Sequence, residues 1–408
     1  MLSVEEATRA VLDHATALPA GHRPLSEALG CLLAEEVTAD RDLPPFDKAL
    51  VDGFAVRASD LAELGPDAEL AIGEEILAGR TPSRSLGSQE AALIMTGAPL
   101  PEGADAVIRV EDSDRRGERV AFRPRRPIEL GLNRMTRGRE MRAGEVLLRP
   151  GAKLNAGRLG LLASVGRADP LVIPRPILAI ASTGDEIVAP DQAPGPGQIR
   201  NSNAPLLEGL AKSSGAEARC LPIAPDEPEA LRAILKQGLQ ADVLLITGGV
   251  SAGKLDLVPG TLEALGVRAI FHKVRLKPGK PLLFGIGPER EGGRPGALVF
   301  GLPGNPVSGV VGFLLFVRPA LDVLKGQPKR PAWLVEWPLA RPFSHRGERP
   351  TYHPCRVVSP DGTMILEPLD WAGSPDLRTV AEADGFAAFP AGDRDYEAGD
   401  LVGFLQLI

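Results

Sequence analysis

Charged and polar residues recur directly after predicted strands in the central part of the chain. Six of them are carboxylate, lysine or amide residues that follow short apolar segments: Glu186, Asp226, Asp256, Lys277, Lys280 and Asn305. Because the loops that follow parallel strands gather at one edge of a sheet, we expect these side chains to lie together. Converging carboxylates repel one another unless a hard cation such as Mg²⁺ separates them. Two lysines on a Pro-Gly turn suit a phosphate or another tetrahedral oxyanion.

This pattern predicts metal-assisted chemistry on an anionic, phosphorylated small molecule. Each residue also has a purely structural interpretation: Glu186 could cap a helix, Asp256 could pair with Lys254, and the two lysines could simply be solvated. Their recurrence at successive strand ends favours the functional interpretation. The five histidines contain no metal-type pair, so the sequence argues against zinc.

The segment from Ala241 to Asp256, ADVLLITGGVSAGKLD, joins a buried strand to a glycine-rich loop. Glycines let backbone N–H groups approach an anion closely, which is typical of a ligand loop. The spacing from Gly248 to Lys254 also matches a phosphate-binding P-loop. However, Leu255 stands where such a loop needs a Ser or Thr hydroxyl for magnesium. We therefore interpret the segment as an active-site loop, with Asp256 as its working residue, and not as an ATPase motif.

Alternating strands and helices from about residue 176 to 324 predict a doubly wound α/β domain that positions these loops. The predicted strands are 177–181, 216–223, 243–246, 269–274, 282–286 and 297–301, and the predicted helices are 204–213, 228–239, 258–265 and 307–317. Short alternating segments separated by glycine and proline predict β-rich regions at about 69–149 and after 326.

Composition restricts the possible functions. A net charge of −7 argues against a general nucleic-acid binder, although the arginine-rich stretch 115–142 could face an anionic ligand or form a solvated strand face. The three cysteines are odd in number and far apart, which fits a reducing compartment. Ser3 and Glu6 form a capping-box pattern that predicts an N-terminal helix with Val4, Ala7 and Val11 on one face. The most apolar run, 307–317, is too short to span a bilayer. We expect a cytoplasmic protein with no membrane segment.

Eight segments, in order and spacing, resemble the motifs of the molybdopterin molybdenumtransferases, the MoeA and gephyrin E-domain family. They are LPPFDKALVDGFAV, MTGAPLPEGADAVI, ASTGDEI, IRNSN, TGGVSAGKLD, KPGKPLLFG, GLPGNPVSG and GSPDLRTVAEADG. The resemblance covers nearly the whole chain.

The resemblance implies an α/β multidomain fold in four parts. The parts are a linking subdomain of 1–25 plus 141–173, a β-rich domain of 26–140, a doubly wound molybdopterin-binding-like domain of 174–325 and a C-terminal β-barrel of 326–408. It also implies a homodimer in which the α/β domain of one subunit faces the β-rich part of the other. Asp52 and Thr96 would then complete the site across the dimer.

The implied reaction is magnesium-dependent and converts adenylylated molybdopterin and molybdate to molybdenum cofactor and AMP. Glu186, Asp226 and Asp256 would handle the metal and the leaving group. The implied molybdate contacts are Lys277, Lys280, Arg356 and Ser374. Further implied ligand contacts are Thr183, Gly248, Gly249, Ser251, Pro303 and Asn305.

The chain departs from the family pattern at a few positions. Lys48-Ala49 replaces a common Asn-Ser, and Glu140 replaces a common Asp; neither change alters the implied chemistry. The segment ERPTYHPCRVV is an unusual version of its motif, so either Arg349 or Arg356 could complete the oxyanion pocket. Two alternatives remain: a scaffold of the same fold without catalysis, or a related pterin adenylyltransferase. An adenylyltransferase acting upstream is also a possible partner.

Overall fold

The computed structural model describes residues 1–65, 69–123, 128–249, 257–359 and 362–407. The chain forms two compact units. One consists of Met1–Arg23, Ala28–Leu32 and Leu171–Ile408, and the other of Pro24–Glu27 and Leu33–Pro170. The four-part division expected from the sequence is finer than this and stays a prediction.

The elements up to residue 173 are mostly short strands. They are α1 Val4–His14, β1 Gly21–His22, α2 Leu25–Ala28, β2 Leu32–Leu33, β3 Val37–Thr38, β4 Lys48–Ala49, β5 Gly53–Val56, α3 Ala58–Leu64, β6 Glu69–Ile76, β7 Glu90–Ile94, β8 Ala106–Arg109, a 3₁₀ turn Val110–Asp112, β9 Ser113–Arg116, β10 Arg119–Phe122, β11 Arg134–Met135, β12 Val146–Leu148, α4 Ala156–Ser164 and β13 Leu171–Ile173.

Helix α1 begins with the predicted capping box. The Ser3 hydroxyl accepts a hydrogen bond from the Glu6 amide at 3.1 Å, and the Glu6 carboxylate accepts one from the Ser3 amide at 2.7 Å. The predicted face, Val4, Ala7 and Val11, is buried in a core that it shares with the α/β domain. The sequence therefore specified both the start of this helix and its buried side.

The unit that contains residues 33–170 is built on a six-stranded sheet of order β8-β5-β7-β6-β10-β9. Only β6 and β7 run parallel. Side chains alternate across the sheet, so Phe54 and Val56 belong to one apolar core and Ala55 to another. Gly53 pairs with Ile94, which brings the start of β5 beside the end of β7.

The α/β domain contains all six strands and all four helices predicted for it. The elements are β14 Ile177–Ser182, β15 Ile187–Val188, β16 Ile199–Arg200, α5 Asn203–Ser213, β17 Glu217–Cys220, α6 Pro228–Gly238, β18 Val243–Thr247, α7 Leu257–Ala264, β19 Arg268–His272, β20 Leu283–Ile286, β21 Leu298–Leu302, α8 Pro306–Gly312, a π-helical turn Phe313–Val317 and α9 Arg318–Leu324.

These strands form a six-stranded sheet of order β17-β14-β18-β21-β20-β19. The four strands β17, β14, β18 and β21 are parallel, whereas β20 runs antiparallel to both β21 and β19. Side chains of β18 alternate between two cores: Val243 and Leu245 face one side, and Leu244 and Ile246 face the other. Because both faces of the sheet are buried, the sequences of its central strands are continuous apolar runs. The doubly wound prediction is confirmed.

The helix that starts at Pro306 extends further than the sequence suggested. The sequence predicted a helix over 307–317, ahead of Arg318 and Pro319, but helical structure continues to Leu324. The expectation was wrong because a π-helical turn precedes α9, which places Pro319 in the first turn of a new helix. The backbone N–H that proline lacks has no intrahelical partner in a first turn, so the helix tolerates it there. Within the described residues it is the one helix long and apolar enough to cross a membrane, yet 89% of that apolar window is buried inside the protein. It is therefore a core helix by its packing.

The C-terminal region is an antiparallel β structure. Its elements are β22 Val335–Pro338, β23 Phe343–His345, β24 Thr351–Val358, β25 Ile365–Pro368, α10 Leu377–Glu382, β26 Gly385–Phe389, β27 Arg394–Tyr396 and β28 Leu401–Gln406. Five strands form a sheet of order β22-β28-β26-β24-β25. The Ala340 amide donates to the Leu366 carbonyl at 2.7 Å, which joins the β22 end to β25. The sheet curls and meets its own edge, as the predicted barrel requires.

Candidate functional site

The candidate site lies at the carboxyl edge of the parallel sheet. Strands β14 and β18 are neighbours, but the chain that leaves β14 continues to β17 on one side, whereas the chain that leaves β18 continues to strands on the other side. Such a switch point opens a crevice between the two strand ends. Thr183 follows β14 directly and Thr247 ends β18, and the amide of Thr183 donates to the carbonyl of Thr247 at 3.1 Å. Both residues are buried.

Asn203 ties three strand-end segments together at this crevice. Its side-chain Nδ2 donates to Thr247 Oγ1 at 2.8 Å and to the Gly304 carbonyl at 2.7 Å. A second amide, Asn201, donates to Ser182 Oγ at 3.0 Å and accepts from the Ala204 amide at 3.1 Å. Sequence reasoning noticed the IRNSN motif but assigned no role to these residues. The available signal was a pair of asparagines, two residues apart, at the start of a helix.

Gly248 occupies a position that cannot accept a side chain. Its φ is +91°, and a Cβ there would lie 2.7 Å from the Thr183 carbonyl oxygen. The Thr183 hydroxyl and the Asn203 Oδ1 are both buried without a hydrogen-bond partner in the described structure. A buried hydroxyl and a buried amide oxygen beside a glycine form a surface that a polar ligand could satisfy. Gly249 follows with φ of +60° and is exposed.

Residues 250–256 lie outside the described residues. Two predicted site residues, Ser251 and Asp256, belong to this segment, as does Lys254. Their predicted roles therefore stay predictions.

The other two predicted carboxylates lie on neighbouring loops. Glu186 is exposed, and its carboxylate folds back to where a Cβ of Gly184 would be. Asp226 is exposed as well, and its amide donates to Asp185 Oδ1 at 3.0 Å. Asp185 thus joins the loops after β14 and β17, a role that the sequence did not reveal. Within the described ranges, no three His, Cys, Asp or Glu side chains gather closely enough to hold a metal ion.

The lysine loop is held against the C-terminal barrel. The Lys277 amide donates to the Pro350 carbonyl at 3.0 Å, and the Tyr352 amide donates to the Lys277 carbonyl at 2.8 Å. Arg349 Nη1 donates to the Leu276 carbonyl at 3.0 Å, so this guanidinium lies beside the loop. The side chains of Lys277 and Lys280 are exposed.

Arg356 lies on β24, further from the lysine loop than Arg349. Thr351 pairs with Lys277, and Arg356 is five residues further along β24, about 16 Å at the usual rise of a strand. The Arg356 guanidinium is exposed and pairs with the Glu382 carboxylate at 3.6 Å. Of the two arginines that the sequence left open, the structure brings Arg349 to the lysine loop.

Asn305 and Ser374 lie together. Asn305 Nδ2 donates to Ser374 Oγ at 2.8 Å, and the Val307 amide donates to the Ser374 carbonyl at 3.2 Å. Asn305 directly precedes α8, in the position of a helix cap. Asn305 makes no side-chain capping bond, and its Nδ2 group holds Ser374. Pro303 is buried between β21 and this contact.

Asp52 and Thr96 form a separate contact in the other unit. The Thr96 amide and hydroxyl both donate to Asp52 Oδ1, at 2.7 and 2.6 Å. These two hydrogen bonds hold the pKa of Asp52 below its usual value, and the bond from the Thr96 hydroxyl has the larger effect. The carboxylate is therefore ionised and oriented at neutral pH.

The architecture and the strand-end loops define a multidomain α/β protein with a ligand crevice at the switch point of its central sheet. Residues 179–323 match the family model of a probable molybdopterin binding domain. Residues 2–166 match the MoeA N-terminal region (domain I and II), and residues 336–407 match the MoeA C-terminal region (domain IV).

Similar proteins agree with these matches. The chain is 36% identical to the molybdopterin molybdenumtransferase of Synechococcus elongatus, over 98% of both chains. It is 33% identical to the Bacillus subtilis protein of the same name, covering 100% of this chain and 94% of that one. A crystal structure of a molybdopterin biosynthesis MoeA protein from a Pyrococcus species is similar, with a TM-score of 0.76, 31% identity and coverage of 100% and 99%.

The chain belongs to the molybdopterin molybdenumtransferase family, the MoeA family of molybdenum cofactor biosynthesis. The predicted family, the predicted enzyme class and the predicted fold class are confirmed.

Proposed function

We propose that this protein inserts molybdate into adenylylated molybdopterin and releases AMP in a magnesium-dependent reaction. The observation that carries the proposal is the convergence of the strand-end loops through Asn203, with Gly248 and Thr183 beneath and the carboxylates Glu186 and Asp226 on the adjoining loops. A crevice with backbone close to its floor and acidic groups at its rim suits a phosphorylated ligand with a bound cation.

Molybdate is a tetrahedral dianion and needs cations and hydrogen-bond donors. Lys277 and Lys280 provide two ammonium groups on one loop, and Arg349 provides a guanidinium attached to the same loop. The Ser374 hydroxyl, oriented by Asn305, provides a further donor. We assign the oxyanion pocket to these residues. Arg349 takes the place of Arg356 because the latter pairs with Glu382.

Magnesium fits the chemistry of the donor set, because carboxylate oxygens are the ligands it prefers. Glu186 and Asp226, with Asp256, are the residues that would hold it. When bound, the ion would offset the negative charge of the pyrophosphate whose cleavage releases AMP. The chain itself would keep Glu186 and Asp226 in place through the Asp185 contact between their loops.

The assembly and the cellular context belong to the same proposal. We infer a homodimer in which Asp52 of the second copy, fixed by Thr96, completes the site. We expect the protein to act in the cytoplasm and to receive its pterin from an upstream adenylyltransferase. Neither nucleic acid nor membrane is an expected partner.

The test is incubation with adenylylated molybdopterin, molybdate and magnesium, with AMP release as the readout. Wild-type protein should release AMP only when molybdate is present. Glu186→Gln and Asp226→Asn should each lower the rate at least about a hundredfold, because each removes a charge that acts on the reacting phosphates. Asp191→Asn, which changes another exposed carboxylate of the segment after β14, should retain the wild-type rate.

Other outcomes identify the alternatives. Binding of the adenylylated pterin without AMP release, in wild type and variants alike, would indicate a scaffold and refute catalysis. Consumption of ATP by the protein alone would indicate a pterin adenylyltransferase.

A further inference from the structure

A cleft of about 680 Å³ lies beside the crevice, between three segments of the α/β domain. Gly184, Asp185, residues 187–190 and Gln192 form one wall, and the start of α5 forms the second. Residues 220–223 and Pro225, at and after the end of β17, form the third. The cleft includes Gly184 and Asp185, which adjoin the carboxylates assigned above to the leaving group. A ligand that extends from those carboxylates would therefore enter it.

The walls of the cleft are mostly aliphatic. Its lining includes Ile187, Val188, Pro205, Leu221 and Pro222. The volume falls within the range of small-molecule sites, and rigid apolar walls suit a flat ring system better than a flexible charged chain. The molecule that the site acts on should thus place an aromatic end here, with its phosphates outside.

Besides Asp185 at its edge, the apolar cleft contains a second carboxylate, Glu208. Glu208 Oε1 accepts a hydrogen bond from Lys212 at 2.6 Å, and Glu208 Oε2 lies 3.7 Å from the Cys220 Sγ, which also lines the cleft. The Lys212 hydrogen bond, together with the charge of that ammonium group, lowers the pKa of Glu208, so this group is an acceptor at neutral pH. An ionised carboxylate recognises a ligand edge that carries two adjacent N–H donors.

We propose that the cleft binds the pterin ring of the substrate and that Glu208 is a specificity-determining residue. The 2-amino-4-oxo edge of a pterin presents a ring N–H next to an amino group, which matches a carboxylate. An adenine edge presents one amino group flanked by acceptors, which does not. The assignment rests on the proposed function, because it takes the substrate to be an adenylylated pterin.

Cys220 provides a direct reporter of occupancy. It is the exposed cysteine of the chain, whereas Cys31 and Cys355 are buried. N-ethylmaleimide should therefore label Cys220 first, and intact-mass measurement will count the labels. Neopterin at saturating concentration should slow this labelling at least about threefold, and AMP at the same concentration should leave it unchanged. Equal protection by AMP would overturn the assignment, since the cleft would then bind the nucleotide end.

Kinetics give a second, independent measurement. Glu208→Gln should raise the KM for adenylylated molybdopterin about tenfold and leave the KM for molybdate unchanged, as expected for loss of charged hydrogen bonds to one substrate. Lys212→Gln is the matched control: it removes the same ion pair, keeps the carboxylate, and should change the KM less than about twofold.

The outcomes separate this proposal from the proposed function. Molybdate-dependent AMP release with an unchanged KM in Glu208→Gln and no protection of Cys220 by neopterin would refute the pterin cleft and leave the enzyme assignment intact. Protection of Cys220 without any AMP release would support the cleft and refute the reaction.

Discussion

A buried ion pair lies at the opposite edge of the α/β sheet, and removing one of its partners should strongly destabilise the domain. Asp242 precedes β18 and has a side chain 4% exposed; the Arg290 side chain is 9% exposed. Asp242 Oδ1 accepts from Arg290 Nη2 at 2.9 Å, and Asp242 Oδ2 accepts from the Ile177 amide at 2.9 Å. Arg290 Nη1 also donates to the carbonyls of Gln240 and Ala241, each at 3.0 Å. The network therefore joins the starts of β14 and β18.

Asp242→Ala should cost about 3–5 kcal/mol, because it leaves the Arg290 guanidinium buried without its counter-ion. The double variant Asp242→Leu/Arg290→Met should lose less than Asp242→Ala alone, since no stranded charge remains. The exposed pair Glu217–Arg219, whose side chains are 56% and 57% exposed, is the control, and Arg219→Ala should cost at most about 1 kcal/mol.

Hydrogen exchange of the β18 amides is the appropriate assay, because a chain with two compact units need not unfold in a single step. A loss of about 3–5 kcal/mol should accelerate exchange of Val243–Thr247 by about two to three and a half orders of magnitude. If Asp242→Ala changes exchange no more than Arg219→Ala does, or if the double variant is the worse of the two, the reasoning about a stranded charge is wrong.

Three further predictions concern single residues. Gly248→Ala should weaken binding of adenylylated molybdopterin at least about tenfold, because its Cβ would meet the Thr183 carbonyl; Gly197→Ala, with similar positive φ but open space around it, should bind normally in the same titration. Arg349→Ala should raise the KM for molybdate about tenfold or more, whereas Arg356→Ala should leave it within about twofold. A larger effect of Arg356→Ala than of Arg349→Ala would show that Arg356 completes the oxyanion pocket. Burial lowers the pKa of His345, so the unfolded chain takes up a proton at a higher pH than the folded one. Stability of the C-terminal barrel, followed by tryptophan fluorescence in urea, should therefore fall as pH drops below about 6.5, and His345→Phe should reduce that slope.

Most of the fold could be predicted from the sequence because it depends on local patterns. Apolar runs bounded by glycine and proline located the strands of the α/β sheet, and the Ser3–Glu6 pattern located the start of the first helix to the residue. Such signals work because side-chain periodicity and capping involve residues only a few positions apart. The continuation of the helix beyond Pro319 escaped the local rule, since a π-helical turn and dense packing around 313–324 override the usual effect of proline.

The motifs alone determined the family, and the strand ends alone indicated an anionic ligand. Tertiary structure decided what particular side chains do there. Asn203 meets Thr247 and Gly304, Asn305 contacts Ser374 in place of its own helix, and Arg349 reaches the lysine loop. Each of these contacts joins residues 44 to 101 positions apart, and no short-range pattern specifies which distant partner a polar side chain will find. That choice depends on how strands from separate parts of the chain lie next to one another.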